Sequence, residues 1–382
     1  MAESNGYFRT TLTYLGLQSV VTRSLLAVAL ALACATGSSE ADNAPVDPCA
    51  CSPNKPGFHR ASALTGDWGG IRADLFERGI KIQGTYAGEL FAAPGLDGDR
   101  VVNAGLGVLS LDLELSNLND RLGSIHVAGL AIHGNGLSQQ LMDVYGVSNN
   151  VAASGVRLFE AWIEQPFGPV TLRTGLLSAD QEFVLASHGT VLINATFGIV
   201  AMLSYNLGNP VYPVATPGAS ARFESDAVTV RAAVYDGDQP NDRGIPTKLG
   251  DHALVIGELE LAKTLKIGGW HHTALGNAVY AVVDRQLERY LGAFARVSVA
   301  PDKPIALYID TGIRIGPGPL RSRDFASLGL AFARTELGAQ TAIEATYQLL
   351  VTGWLTIQPD LQLLLLRDRT AAVLATRAVV AF

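Results

Sequence analysis

Apolar and polar residues alternate along most of the chain from Ile80 onward. In the stretch IKIQGTYAGEL, the side chains of Ile80, Ile82, Tyr86 and Leu90 fall on one face, and the residues between them are polar or small. A period of two is the pattern of a β-strand with one apolar and one polar face. The same alternation recurs in SLDLELSN, LFEAWIEQ, VTLRTGLL, AVTVRAAVYDGD, LYIDTGIRI and WLTIQPDLQLLLL.

These segments predict about sixteen strands, because turn residues separate them at regular intervals. The predicted starts lie near residues 80, 104, 122, 155, 169, 218, 227, 252, 265, 277, 291, 303, 325, 340, 354 and 370. Helical periodicity is limited to Ile71–Arg78 and Gly136–Val144. In LFEAWIEQ the pattern places Phe159, Ala161 and Ile163 on the apolar face.

The two faces need two different solvents. A soluble β-sandwich rarely exceeds about 250 residues as one domain, and no fixed-period repeat indicates a β-helix. A closed transmembrane barrel instead turns its apolar face to lipid and its polar face to a wet lumen, and closure leaves no open edge. We therefore predict an all-β transmembrane antiparallel β-barrel over residues 63–382, beginning with a short periplasmic lead-in. Arg334 falls on the same face as the apolar side chains of its segment. Because a charge on the lipid face is unfavourable in the middle of the membrane, Arg334 must lie near the rim of the barrel.

The N-terminal region predicts export. Arg23 precedes the apolar stretch Leu25–Ala35, which is too short to span a bilayer, and small residues follow it. This is the pattern of a cleaved signal peptide, predicted for residues 1–41 with cleavage after residue 35 or 41. Residues 42–62 are predicted to be a flexible mature N-terminus, and the net charge of −7 argues against nucleic acid as a partner.

Several motifs together resemble the carbohydrate-selective porins of the OprB family. They are LTGDWGGIRADLFERGI, FEAWIEQ with LRTGLLSADQEF, NPVYPVATPGASARF, AVYDGD, YAVVDRQL and YQLLVTGWLTIQPDLQ, in that order. The resemblance implies a 16-stranded barrel in the bacterial outer membrane that admits mono- or oligosaccharides to the periplasm by passive diffusion. It also implies that a last strand ending in Phe382 is read by the barrel assembly machinery. The chain departs from the family after QPDLQ, where LLLLRDRT stands in place of a Pro-Gly-Gly-like turn.

Residues on the polar faces are the candidates for sugar contact, because charged groups bind hydroxyls and aromatic rings pack on the C–H faces of sugars. The candidate set is Glu89, Glu160, Trp162, Glu164, Arg173, Arg222, Arg231, Tyr235, Asp310 and Arg314. Trp162 is expected to stack on a sugar, with Arg173 beside it on the next strand. The alternative is a generic water-lining ladder of opposed charges.

The longest gap between predicted strands runs from Ser178 to Thr216. A connection this long is uncommon unless it is functional, so it is the candidate for a loop that folds inward and narrows the pore. An extracellular flap without that role is the alternative.

Other functions stay open at this point. The main alternative is a non-selective porin for small hydrophilic solutes, and a structural or adhesin barrel is a third class. His188 follows Ser187, but neighbours in an extended chain point oppositely, so no catalytic pair is predicted. No cofactor or metal is predicted, and the barrel could be a homotrimer or a monomer.

We expect the signal peptide to be absent from the protein in the outer membrane, because a Sec-type leader is removed during export. Mass spectrometry of the membrane form should find a new N-terminus between Thr36 and Asn43. An intact Met1 in the outer membrane would contradict this prediction.

Overall fold

The computed structural model describes residues 62–95, 101–117, 119, 122–238, 249–317 and 321–382. It is a closed barrel in which every strand is antiparallel to both neighbours and β1 pairs with β16. The strands are β1 (Ile80–Ala92), β2 (Val101–Glu114), β3 (Ser124–Gly134), β4 (Gly155–Phe167), β5 (Val170–Leu177), β6 (Thr216–Glu224), β7 (Val228–Asp236), β8 (Ala253–Leu261), β9 (Leu265–His272), β10 (Gly276–Glu288), β11 (Leu291–Val299), β12 (Ile305–Ile315), β13 (Phe325–Thr335), β14 (Gly338–Leu350), β15 (Leu355–Leu365) and β16 (Thr370–Ala381).

The helices are short. They are α1 (Ile71–Glu77), α2 (Ser138–Leu141), α3 (Ala195–Gly198) and α4 (Ala201–Leu207), with 3₁₀ turns at Trp68–Gly70, Leu115–Asn117, Ala179–Gln181 and Ser187–Gly189. Within the described residues, no helix has the length and apolar character needed to cross a membrane. The helix predicted near residue 71 is confirmed, whereas only residues 138–141 are helical in the second predicted stretch.

The strand prediction is confirmed, since all sixteen strands are present and each begins within three residues of its predicted start. The predicted apolar face is the outer face of the barrel. Leu90, Leu109 and Val279 are among its most exposed side chains, with 54%, 63% and 63% of their surface accessible. Arg334 is exposed and is the second-last residue of β13, which is the rim position expected for a charge of this parity.

One residue of β4 departs from the predicted alternation. The pairing of β3 with β4 shifts at Ala128 and Gly129, whose partners are Glu160 and Leu158, so Phe159 is the extra residue of a β-bulge. Phe159 is only 7% exposed and packs with Leu130 rather than facing lipid. Its assignment to the lipid face was therefore wrong, because a bulge redirects one side chain without changing the sequence pattern around it.

The two ends of the barrel differ. At one end the connections are short, as in residues 168–169 between β4 and β5, and both described termini lie there. At the other end, residues 135–154 join β3 to β4 and residues 178–215 join β5 to β6. Outer-membrane barrels have short periplasmic turns and longer extracellular loops, so we assign the end with short turns to the periplasm.

The lead-in and the chain end meet at the barrel seam. The Leu64 N–H donates to the Ala381 carbonyl at 2.7 Å, and the Phe382 N–H donates to the Gly84 carbonyl at 2.8 Å. The Arg72 guanidinium donates to the Phe382 carbonyl at 2.6 Å. The residues before β1 therefore fasten the end of β16. The signal predicted for residues 1–41 and nearly all of the segment 42–62 lie outside the described residues.

The two long connections described above turn into the barrel. We call residues 178–215 the long inward segment and residues 135–154 the short inward segment. Phe183, Phe197 and Met202 of the long segment are at most 1% exposed and form one apolar core with inward-facing wall residues such as Phe294. The lumen thus contains a packed core in addition to polar groups.

We expect the folded barrel to resist detergent until it is heated, because the backbone groups of a closed sheet are paired with one another. Unheated and boiled samples should migrate differently in a denaturing gel. Deletion of Phe382 should lower the folded fraction, since it removes the bonds to Gly84 and Arg72 at the seam. Equal migration of heated and unheated protein would contradict the closed barrel.

Candidate functional site

The long inward segment is held by polar residues of the barrel wall. Glu344 of β14 accepts the N–H groups of Ile193 and Asn194 at 2.5 and 2.9 Å. The Asn194 amide donates to Gln362 of β15 at 2.9 Å. These backbone N–H groups would otherwise be buried without partners, so this contact fixes the middle of the segment to the wall.

Arg296 of β11 is the strongest single attachment. Its side chain is 1% exposed, and its guanidinium donates to Asp310 of β12 at 3.0 and 3.1 Å from Nε. The remaining donors reach the carbonyls of Val184, Thr196, Phe197 and Gly198 at 2.8–3.2 Å. One buried cation therefore gathers two separate stretches of the long inward segment.

A third attachment lies at β10. Asp284 accepts the Ser187 N–H at 2.6 Å and contacts His188 Nδ1 at 2.5 Å. The Ser187 hydroxyl also donates to Asp284 rather than to His188. The arrangement therefore lacks the serine-to-histidine hydrogen bond of a nucleophile and its base.

The short inward segment is attached to β1 and β16. Arg377 of β16 donates to Glu89 of β1 at 2.5 Å, and Glu89 also accepts the Ser148 hydroxyl and the Asn150 amide at 2.7 and 3.1 Å. The backbone of residue 149 donates to the Ile193 carbonyl at 2.9 Å. The two inward segments consequently brace each other.

The long inward segment starts at a buried carboxyl group. Asp180 accepts a hydrogen bond from the Ser178 hydroxyl and another from the Tyr212 N–H, the latter at 3.2 Å. Burial raises the pKa of Asp180 above its ordinary value, and these hydrogen bonds oppose the rise. The contacts join the first and last turns of the long inward segment.

On the periplasmic side of this packed core, polar side chains remain partly exposed on β3 to β6. We define the wall cluster as His126, Trp162, Glu164, Arg173 and Arg222. Arg173 donates to Glu164 at 3.0 Å from Nε and 2.6 Å from a terminal nitrogen. Its third donor reaches Glu182 of the long inward segment at 2.9 Å. The guanidinium is therefore held between the wall and the segment.

The Trp162 ring lies between two other planar groups. The His126 ring stacks on it with centroids 4.8 Å apart, and the Arg173 guanidinium carbon is 4.1 Å from its centroid. Because β3 and β5 lie on opposite sides of β4, the two groups cover opposite faces of the indole. The stacking on sugar that the sequence suggested for Trp162 has no free ring face. Its indole N–H has no hydrogen-bond partner in the described chain.

Arg222 of the wall cluster and two further arginines complete the partly exposed wall. Arg231 donates to Glu258 and Glu260 at 3.1 and 2.8 Å. Arg222 has only longer charge contacts, with Glu164 and Glu224 at 3.9 and 3.8 Å. Arg314 donates to the carbonyl of residue 187 at 3.4 Å. Of these, Arg222 is the least occupied, and 37% of its side chain is exposed.

The sequence candidates therefore divide into two groups. Those on the inner face and partly exposed are Trp162, Glu164, Arg173, Arg222, Arg231 and Arg314. Glu89, Glu160, Tyr235 and Asp310 are at most 9% exposed. Glu160 accepts the Ser178 N–H at 3.2 Å, so it fastens the long inward segment in the same way as Glu89 and Asp310 fasten their partners. All four are buried, and Glu89, Glu160 and Asp310 hold other groups in place by hydrogen bonds.

Sequence reasoning missed several contributors. The alternation of side chains places Glu344 and Gln362 on the inner face of the barrel. It does not reveal which groups of the inward segments they bind. His126 has the same parity and gave no motif. Glu182 lies between strands, where parity carries no information. In the part of the chain that the structure describes, no group of three or more His, Cys, Asp or Glu side chains is placed to hold a metal ion.

The comparisons place this architecture among known porins. Residues 102–276 match the model of the carbohydrate-selective porin family, OprB. The high-pH structure of Pseudomonas putida OprB superimposes with a TM-score of 0.77 at 16% identity, over 86% of this chain and 100% of that one. The low-pH structure of the same protein gives 0.57 at 18%, over 85% and 99%. A mutant of the Rh. blastica porin gives 0.53 at 10%, over 79% and 100%. The search of curated proteins finds no match.

We expect Arg296→Leu to loosen the long inward segment and raise single-channel conductance in planar bilayers. The change removes four bonds to segment carbonyls and leaves Asp310 buried beside it. Breaking a buried pair by removing one partner costs about 3–5 kcal/mol.

Two further variants make this test specific. Arg296→Leu with Asp310→Leu removes the unpaired charge but also lacks the carbonyl bonds, so its conductance should stay high while its stability recovers. Arg334→Leu, on the outer rim, should behave as wild type. Unchanged conductance in both Arg296 variants, with the gel shift of a folded barrel, would show that this arginine does not hold the segment.

Proposed function

We propose, from the match of residues 102–276 to the model of the carbohydrate-selective porin family, OprB, that the protein is an outer-membrane porin through which sugars diffuse into the periplasm. The observation that carries the proposal is the family match together with a closed sixteen-stranded barrel. A barrel of 16 to 18 strands is wide enough for an aqueous channel. We propose no catalytic role for it.

The two inward segments would set the width of the passage. They pack against inner-wall residues that include Phe91 of β1, Tyr235 of β7 and Phe294 of β11, and they leave the partly exposed wall cluster on β3 to β6 beside them. A solute entering from outside would then pass between the long inward segment and this cluster. The attachments at Glu344, Arg296 and Asp284 would keep the passage narrow without any moving part.

Sugar recognition in this passage would rest on hydrogen bonds. A sugar presents several hydroxyl groups that act as both donors and acceptors, and charged side chains form stronger hydrogen bonds than neutral ones. Arg222 offers donors with only distant charge contacts. Trp162 offers no accessible donor, because its indole N–H is buried and its ring lies between His126 and Arg173. We propose that Arg222 and Glu164 contact the sugar, and that Arg173 and Trp162 position them.

Export, assembly and contact with lipid follow from the same proposal. The leader at residues 1–41 would direct the chain across the inner membrane, and Phe382 would be presented to the assembly machinery. The outer face exposes apolar side chains such as Leu90, Leu109 and Val279, which suit the hydrocarbon of the membrane. A homotrimer and a monomer are both compatible with this barrel.

We expect single-channel current in a planar bilayer to be blocked by glucose or a short oligosaccharide in a concentration-dependent way. Arg222→Ala should shift the block to about tenfold higher sugar, which corresponds to the loss of one charge-assisted hydrogen bond. Arg173→Ala should shift it in the same direction, because Glu164 loses the guanidinium that holds it in place. Trp162→Phe should shift it less, because an aromatic ring stays between His126 and Arg173 and keeps Arg173 in place. Arg334→Ala is the matched control and should leave the block unchanged.

Two results would revise the proposal in different ways. If wild-type current shows no block by sugar, while liposomes swell equally with sugars and other solutes of the same size, the protein is a non-selective porin. If sugar blocks the current but no variant in the wall cluster shifts the block, the channel is selective and its contacts lie elsewhere.

A further inference from the structure

Four arginines gather on one side of the periplasmic rim. We call Arg285, Arg289, Arg321 and Arg323 the arginine rim patch. Arg289 lies in the turn between β10 and β11, and Arg321 and Arg323 lie in the turn between β12 and β13. These turns are neighbours, because the Gly316 N–H donates to the Tyr290 carbonyl at 2.9 Å. The remaining turns at this end carry one basic residue each or none.

A buried carboxyl group holds the larger turn in place. Asp324 is 1% exposed and accepts the Tyr347 hydroxyl at 2.8 Å and the Leu350 N–H at 3.0 Å. Its distance to Arg321 Nε is 3.6 Å. Asp324 thus ties the turn to β14, and it leaves Arg323 exposed at the rim.

The patch faces the membrane as well as water. Arg285 pairs with Ala293 and has the parity of the outer face, so its side chain leaves the wall on the lipid side. Tyr290 lies within the patch, with the Arg289 guanidinium carbon 5.0 Å from its ring centroid. Tyr347 borders the patch, and its register with Ala326 also places it on the outer face. Tyrosines of this kind concentrate where the headgroups of a bilayer begin.

We propose that the arginine rim patch binds the headgroup of an anionic phospholipid in the periplasmic leaflet. The guanidinium group presents a planar fork of donors that matches a phosphate, and clusters of arginine at a membrane surface attract anionic lipid. Four arginines face two carboxylates here, Glu288 and the buried Asp324. The outward parity of Arg285 and the flanking tyrosines favour a lipid phosphate over a soluble acidic partner.

The test is native mass spectrometry of the intact barrel in non-ionic detergent, with phosphatidylglycerol and phosphatidylcholine offered at equal concentration. Wild type should retain phosphatidylglycerol in preference. Arg289→Gln with Arg323→Gln should lower that retention by roughly tenfold, and Arg289→Lys with Arg323→Lys should preserve most of it. The control pair Arg78→Gln with Lys263→Gln removes two exposed cations elsewhere on this end and should have no effect.

The outcomes are distinguishable from a folding defect because each variant is first checked for the gel shift of a closed barrel. Equal retention of the two lipids by wild type would overturn the proposal. An equal loss in the control pair would also overturn it, because net charge alone would then explain binding. Displacement of phosphatidylglycerol by equimolar inorganic phosphate or polyglutamate would show that the patch binds a soluble anion, and would overturn the assignment to lipid.

Discussion

Backbone N–H and C=O groups inside a bilayer have no water to bond, and this constraint determines the whole molecule. A sheet meets it only by closing, so β1 must pair with β16 over Thr85 to Ala92. The contacts of Leu64 and Arg72 with the chain end sit at that seam. Closure also divides every strand into an outer and an inner face. The alternation of side chains is therefore a consequence of the solvent on each side of the wall.

The inner face has two tasks that compete for the same kind of residue. Some polar side chains, such as Glu344 and Arg296, form hydrogen bonds with backbone groups of the inward segments that would otherwise be buried without partners. Others, such as Arg222, remain partly exposed. A charge on the inner wall is thus not by itself a sign of solute contact. The number of partners that a side chain already has decides which task it performs.

The sequence was sufficient for the strands and insufficient for the interior. Period-two alternation depends on local solvent contrast, so it located all sixteen strands and the outer residues. The bulge at Phe159 could not be predicted from the sequence, because the apolar and polar pattern of β4 looks the same with or without it. The covered ring of Trp162 depends on His126 and Arg173 from two neighbouring strands. The length of the loop after β5 indicated the long inward segment, whereas the shorter loop after β3 gave no comparable signal.

The contrast between the two faces also affects how such a chain tolerates change. On the outer face, Leu90 or Val279 needs only to be apolar, since lipid chains adapt to any shape. On the inner face, Arg296 must match an aspartate on the adjacent strand and four carbonyls at once. Substitutions can therefore accumulate freely outside while the interior changes only in coordinated sets. Two barrels of this type can therefore diverge until little sequence identity remains and still keep the same strands in the same order.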